Sequence, residues 1–243
     1  AGYDIADPLS LNVDGVGDGL DTALDVDLAG SRVGWLADLG GHLATESGVL
    51  DVAEQALTAL AGSGLHIEPV TRTFDWERLW RAFVVLRQFG LDASLGPLFR
   101  DPATLESTKP ELQWELSNAA SLTAGDLRDA IATRTSWYHT IVDWFDDYDY
   151  LALPSAQVAP FPIDTTWPRH IAGVEMDSYH RWMEVSVPGT MSGCPILAAP
   201  AGFDARGVPN GIQLIGRPRA DLSLLQLARH FEQVAPWLDR QPG

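Results

Sequence analysis

Two near-continuous apolar runs, Pro195-Ile196-Leu197-Ala198-Ala199 and Gly211-Ile212-Gln213-Leu214-Ile215, lie in the last fifth of the chain. A strand with one wet face alternates apolar with polar residues, so runs without alternation predict central strands buried on both faces. Such strands need helices to cover them, and the chain supplies the pattern. Val33-Gly34-Trp35-Leu36 predicts a short buried strand. Val52, Ala53, Ala56, Leu57 and Leu60 then form an apolar stripe at helical spacing, with Gly62 and Gly64 as stop signals. His66-Ile67-Glu68-Pro69-Val70 predicts a second strand. Strand, helix and strand in that order point to an α/β fold.

Residues 75–121 read as helical, with Trp76, Leu79, Trp80 and Phe83 on one face and Gly90 as a break. Thr123-Ala124-Gly125-Asp126 fits a capping box, which satisfies orphan N–H groups of a first helical turn. The helix it opens carries Leu127, Ile131, Tyr138, Ile141, Val142 and Phe145 on its apolar side and stops near Asp149; Tyr150 to Leu153 is a third strand. A Pro-rich connection follows, with Pro154, Pro160, Pro162 and Pro168, and loops of that length in compact domains are more often functional than accidental. The last helix takes Asp221 as N-cap, has an apolar set at Leu224, Leu225, Ala228 and Phe231, and ends before Pro236. Residues 1–31, rich in Asp and Gly, read as an irregular connecting segment, leaving 32–243 as the α/β body.

Composition narrows the partners. Sixteen basic residues against thirty-three acidic ones give a net charge of −17, which repels nucleic acid and anionic membranes. No apolar run approaches the ~20 residues of a membrane span. Ala1-Gly2-Tyr3-Asp4 has no signal-peptide character, and the missing initiator Met suggests a processed or truncated product. The single cysteine, Cys194, excludes an internal disulfide framework and fits the reducing cytoplasm.

From the residues alone, no nucleophile can be identified. Gly15-Val16-Gly17-Asp18-Gly19 follows no strand and lacks a P-loop Lys, so it reads as a turn. Asp14 to Asp25 partly fits a calcium loop, but Val16 occupies a ligand position. His139 and Asp143, four apart on a helix, would need a third metal ligand from elsewhere. His170 and His180 flank the long loop as acid–base candidates, although isolated histidines near Trp and Tyr more often pack. Cys194 reads as a small buried hydrophobe. Ser107-Thr108-Lys109 contains the chain's only lysine, but it sits in a polar stretch with Glu106 and Glu111, where it stays charged and cannot serve as a base.

A family resemblance does emerge along the chain. Asp147-Tyr148-Asp149-Tyr150-Leu151-Ala152-Leu153-Pro154-Ser155 resembles the "yD-x-L-x-x-P-T" strand of the amidase-signature family, and Pro188-Gly189-Thr190-Met191-Ser192-Gly193-Cys194-Pro195 its "P-A-N-x-x-G-x-P" turn. Pro200-Ala201-Gly202 with Gly207-Val208-Pro209-Asn210-Gly211 through Pro218 is similar to its "P-A-G … G-L-P-x-G-x-Q-L-I-G-x-P" hairpin, with Asn210-Gly211 suited to a tight reversal. Ala1-Gly2-Tyr3-Asp4 through Asp7-Pro8 looks like the segment after the family's core signature, and Ser31 to Trp35 like the strand after that. The resemblance spans essentially the whole chain.

It implies a mixed-sheet α/β fold with helices on both faces, of which 1–243 is one incomplete domain, the C-terminal portion. It also implies a hydrolase that cleaves a carboxamide C–N bond through an acyl-enzyme, using a Ser–cis-Ser–Lys triad and no cofactor or metal. The triad would lie upstream of Ala1, so no residue here is assigned a catalytic role, and the chain alone is expected to be inactive. The pocket wall would remain: Ser155, Gln157, Thr190, Met191 and Cys194, with Trp167 and Trp182 as apolar lining. Thr190 and Ser155 depart from the family's usual Asn and Thr. Expected partners are a small amide substrate and the N-terminal half of the same fold; without that half, exposed sheet edges would drive association, including homo-oligomers. The amidase subunit of a tRNA-dependent amidotransferase is a second reading, and a non-catalytic remnant or binding module a third.

Overall fold

The computed structural model describes residues 24–235 and residue 237. Gly15–Gly19 and most of the Asp14–Asp25 segment therefore lie outside the described residues. Within them, β1 (Arg32–Trp35), α1 (Val49–Gly62) and β2 (His66–Pro69) form the expected strand–helix–strand unit, with β1 and β2 parallel. A helical excursion follows: α2 (Trp76–Leu95), a 3-10 turn at Gly96–Phe99, α3 (Pro102–Glu106), α4 (Pro110–Ala119) and α5 (Ala124–Trp144). The chain then returns through β3 (Tyr150–Pro154), parallel to β1. After the Pro-rich loop come a 3-10 segment, Arg181–Ser186, the short helix α6 (Val187–Ser192), and two long strands. With the two-residue strands of that loop counted as β4 (His170–Ile171) and β5 (Val174–Glu175), these are β6 (Ile196–Phe203) and β7 (Pro209–Gly216); α7 (Asp221–Val234) ends the described chain.

The main sheet runs β2-β1-β3-β7-β6, parallel on the β2 side and antiparallel on the β7 side, which is the mixed sheet expected. Leu151, Leu153 and Ile215 face one side, where α2, α5 and α6 cover them. Tyr150, Ala152, Ile212 and Leu214 face the other, where α1 and α7 supply Ala56, Leu60, Leu227 and Phe231. Consecutive residues of a strand point to opposite faces, so β3 serves two cores and is buried throughout. No helix among the described residues is long and apolar enough to cross a membrane.

Several expectations change. Gly90 does not break α2, which runs through it; glycine inside a helix costs only about 1 kcal/mol and the flanking turns are packed on α5 and α4. The apolar run at 195–199 is not a central strand: β6 is the sheet edge, and Ile196, Ala198 and Pro200 are exposed on one face. Asn210-Gly211 does not reverse the chain but lies inside β7; the reversal is made by Asp204, whose carboxylate accepts from Arg206 N and Val208 N, and by Gly207 at φ 81°. Residues 188–195 are not a plain turn but α6, closed by Gly193 in the left-handed region. α5 stops at Trp144; Ile141 and Phe145 are buried as expected, but Ile131 and Tyr138 turn outward and Ala130, Thr133 and Trp137 are buried instead. Asp221 begins α7 but Ala220 is its N-cap residue. The capping box holds as read: Thr123 Oγ1 accepts from Asp126 N, and Asp126 accepts from Thr123 N.

Candidate functional site

β1 is flanked by β2 and β3, and the connections to them run over opposite faces of the sheet. In parallel sheets a crevice opens where connections diverge in this way, beyond the carboxyl ends of the strands. Here that edge carries the loop after β1 (residues 36–48), Ser155 after β3, and the start of β7. The loop is strained: Ala37 and Leu39 sit at φ 49° and 59°, with Gly40, Gly41 and Gly48 also at positive φ. Non-glycine residues held there gather at functional sites. It is also fastened to the segment after β3, with Glu46 N donating to Gln157 O at 2.8 Å and Ala159 N to Glu46 Oε2 at 2.9 Å.

The expected wall residues separate into three groups. Ser155 follows β3 beside β7, its N–H donating to Gly211 O at 2.9 Å. A Cβ on Gly211 would collide with Ser155 Oγ, so glycine permits this close approach. Gln157 is buried and bridges backbone, its Nε2 donating to Ala44 O and its Oε1 accepting from Val185 N, and it also borders a cleft of about 310 Å³ with His42, Glu77, Arg181 and Glu184. Thr190, Met191 and Cys194 lie on α6 and just past it; Thr190 is exposed, while Met191 is buried against the helical core and Cys194 packs on it half-buried. Burial pushes the Cys194 thiol pKa up, in keeping with an inert packing residue. Met191 also borders a cleft of about 350 Å³ with Leu86, Ile131, Tyr138 and Gly193.

Trp167 and Trp182 are placed elsewhere. They build a satellite cluster with Val158, Phe161, Ile171, Met176 and Tyr179. Trp182 meets Phe161 edge-on at 5.5 Å, and the Arg169 guanidinium lies 3.6 Å over the Trp167 ring. Both tryptophans hold the Pro-rich loop together.

The histidine and lysine candidates resolve differently. His170 is exposed, and His139 and Asp143 lie on the open side of α5 without a third ligand among the described residues. Ser107 Oγ donates to Thr104 O, and Lys109 caps α4 in solvent. His180 is buried, and its Nε2 lies 2.9 Å from Glu115 Oε1, with Arg87 3.0 Å from the same carboxylate. Burial raises the Glu115 pKa, but His180 and Arg87 outweigh burial and hold it below the usual glutamate value.

Sequence patterns gave no sign of a second charged cluster at the crevice. His42, Glu77 and Glu184 place donor atoms within 4.8 Å of one another, a spacing that suits a divalent cation. The Arg181 guanidinium already stands there: Nη1 lies 2.9 Å from Glu77 and 3.1 Å from Glu184, while Nη2 lies 2.8 Å from Asp177. Burial would lower the Arg181 pKa, yet these three carboxylates raise it, so the guanidinium is held in an ion-pair network in which acid groups outnumber it. It fastens α2 to the 3-10 segment at Arg181–Ser186.

The geometry thus offers a strained loop after β1 and a close approach of Ser155 to Gly211, while a serine–imidazole contact, Ser63 Oγ to His230 Nε2 at 2.7 Å, lies at the C-terminal end of α1, the end that leads into β2. Comparison with known proteins agrees with such a scaffold. The family model described as Amidase matches residues 1–225. An acylamidase of Rhodococcus erythropolis is 31% identical over 251 residues, which cover all of this chain and 50% of that protein. A glutamyl-tRNA(Gln) amidotransferase subunit from Moorella thermoacetica is 35% identical over 113 residues, 46% of this chain and 22% of that protein. Among solved structures, a bacterial aryl acylamidase of the amidase signature family superposes with a TM-score of 0.85 at 23% identity, over 97% of this chain and 49% of its own. The chain therefore spans about half the length of the acylamidase, and it belongs to the amidase family.

Proposed function

We propose that the chain is the C-terminal portion of an amidase-type hydrolase, supplying the floor and one wall of a pocket in which a small carboxamide is cleaved. The observation that carries this reading is the match to the acylamidase along the entire chain, with half of that protein left over. The leftover half would bring the Ser–cis-Ser–Lys triad that the resemblance implies. In that scheme a serine attacks the amide carbonyl, the amine leaves, and water releases the acyl group; backbone N–H groups stabilise the oxyanion. Ser155, Gln157, Thr190, Met191 and Cys194 border the acyl position, with Trp167 and Trp182 stiffening the loop behind them. No residue of 1–243 is asked to act as nucleophile or base, and Lys109, in solvent, supports that. The single cysteine fits work in the reducing cytoplasm.

The similarity to an amidotransferase component favours a second reading, a polypeptide that works with partner proteins, but it covers 46% of the chain against the acylamidase's 100%. A hydrolysis assay with an acyl anilide separates the readings. Chain 1–243 alone is expected to release no aniline, whereas the same chain preceded by its upstream coding segment releases it. Turnover by 1–243 alone, abolished by Ser107→Ala or Lys109→Ala, would overturn the assignment. An upstream-completed protein without turnover on any amide would point to a non-catalytic remnant.

A further inference from the structure

Like Gln88 on α2, at 4% exposure, Gln157 and Gln213 sit almost wholly inside the protein, at 1% and 5%. Buried amides must find partners, and these two share one. Val185 N donates to Gln157 Oε1 at 3.1 Å, and Val185 O accepts from Gln213 Nε2 at 2.9 Å. The remaining bonds lead outward: Gln157 Nε2 donates to Ala44 O in the strained loop, and Gln213 Nε2 to Pro154 O at the end of β3, both at 2.9 Å. Carbonyl oxygens cannot donate, so the way each amide points is fixed by its partners.

Val185 stands two residues before α6. That helix is held again at its first turn, where Trp137 Nε1 donates to Pro188 O at 2.7 Å. Gly189 presses so closely on the sheet that a Cβ there would lie 2.7 Å from Ile196 Cδ1 and 3.3 Å from Gln213 Oε1. Gln213 therefore bonds to the end of β3 and to the segment leading into the helix and, with Ile196, leaves no room for a side chain at Gly189.

We propose that Gln157 and Gln213 are positioning residues that grip both backbone groups of Val185 and so set the Thr190–Cys194 wall against the floor at Ser155. For its consequence on turnover the proposal rests on the amidase reading; the clamp itself does not.

Glutamate substitutions test it, because a protonated carboxyl offers one O–H and one acceptor. At 157 that set is sufficient: it accepts from Val185 N and donates to Ala44 O. At 213 two carbonyl oxygens need donors and only one O–H is available. Burial favours the protonated form of a carboxyl introduced at either position; at 157 the carboxylates of Glu46, Glu77 and Glu184 act in the same direction, while Arg181 and His42, which line the same cleft, oppose them. Two readouts are taken in the upstream-completed protein, each relative to the parent at the same pH: labelling of Cys194 by a neutral thiol reagent, followed by peptide mass spectrometry, and KM for an acyl anilide.

The Gln157→Glu variant is expected to match the parent at about pH 5.5 and, at about pH 8.5, to label and raise KM by about tenfold, with a smaller change in kcat. The Gln213→Glu variant is expected to be raised at both pH values. Parental labelling in both variants at both pH values overturns the clamp, as does equal acceleration of both regardless of pH, which marks general loosening. The expected labelling pattern without any amide turnover upholds the clamp and removes the amidase reading instead.

Discussion

Trp137→Ala is expected to lower the stability of the chain by about 3–5 kcal/mol, the range for truncating a large buried aromatic. Trp137 is fully buried and centres an aromatic cluster, with Phe74 and Trp76 at 5.2 Å and Trp144 at 5.3 Å between ring centroids. Tilted and edge-to-face pairs at these distances add to the effect of burial alone. Its Nε1 also donates to Pro188 O, so alanine leaves that carbonyl without its donor. Trp137→Phe separates the two contributions: it keeps a ring in the cluster and loses the bond, for an expected cost of about 1–3 kcal/mol. Equilibrium urea unfolding gives both values. A loss under about 1 kcal/mol for the alanine variant would mean that the site collapses around the gap and that α5 does not anchor α6.

His180→Leu is the second large effect, at about 3–5 kcal/mol, because it removes the imidazole that faces a buried carboxylate. The Glu115 side chain is 4% exposed, and without His180 only the partly exposed Arg87 would face it. The pH dependence fixes the sign. The Glu115 pKa is depressed in the folded chain, from a value of 4.5 when unperturbed. Its contribution is therefore complete above about pH 4.5 and is lost as pH falls through the folded pKa. The parent is expected to lose this stability in acid, and the leucine variant, which lacks it already, to show a shallower acid limb. Parallel acid limbs in the two proteins would show that Glu115 and His180 are not coupled. Since the contact joins α4 to the loop after β3, the variant also tests how the helical excursion is fastened to the pocket side.

The sequence made some of this architecture legible because local rules were undisturbed. The stripe Val52, Ala53, Ala56, Leu57 and Leu60 became the buried face of α1, and the Thr123 capping box opens α5. Other elements escaped because tertiary context decided them. Ile196 and Ala198 belong to an apolar run that reads as central, yet β6 ends the sheet among the described residues. Ile131 and Tyr138 fit a helical stripe but face out, beside Met191 at the cleft.

The site was legible chiefly through resemblance. The resemblance nominates Gln157 for the pocket, and its amide is also used on backbone; Gln213 reads in the sequence as one polar residue in an apolar run. A lone glutamine in a strand that is otherwise apolar is itself a signal, since its amide must be satisfied inside. The Arg181 network gives no such signal, because His42, Glu77 and Arg181 are far apart in sequence and meet only where the loop after β1, α2 and the 3-10 segment pack together.

The central claim is that this chain forms the pocket-bearing half of an amidase whose nucleophile lies outside it. A serine-directed fluorophosphonate tests that claim most directly. The upstream-completed protein would be inactivated with the probe, digested, and the adduct located by mass spectrometry. The account predicts one adduct, on a serine preceding Ala1, formed in step with the loss of hydrolysis, and none on residues 1–243. An adduct on Ser107, Ser155 or any other serine of 1–243, gained as activity is lost, would contradict it.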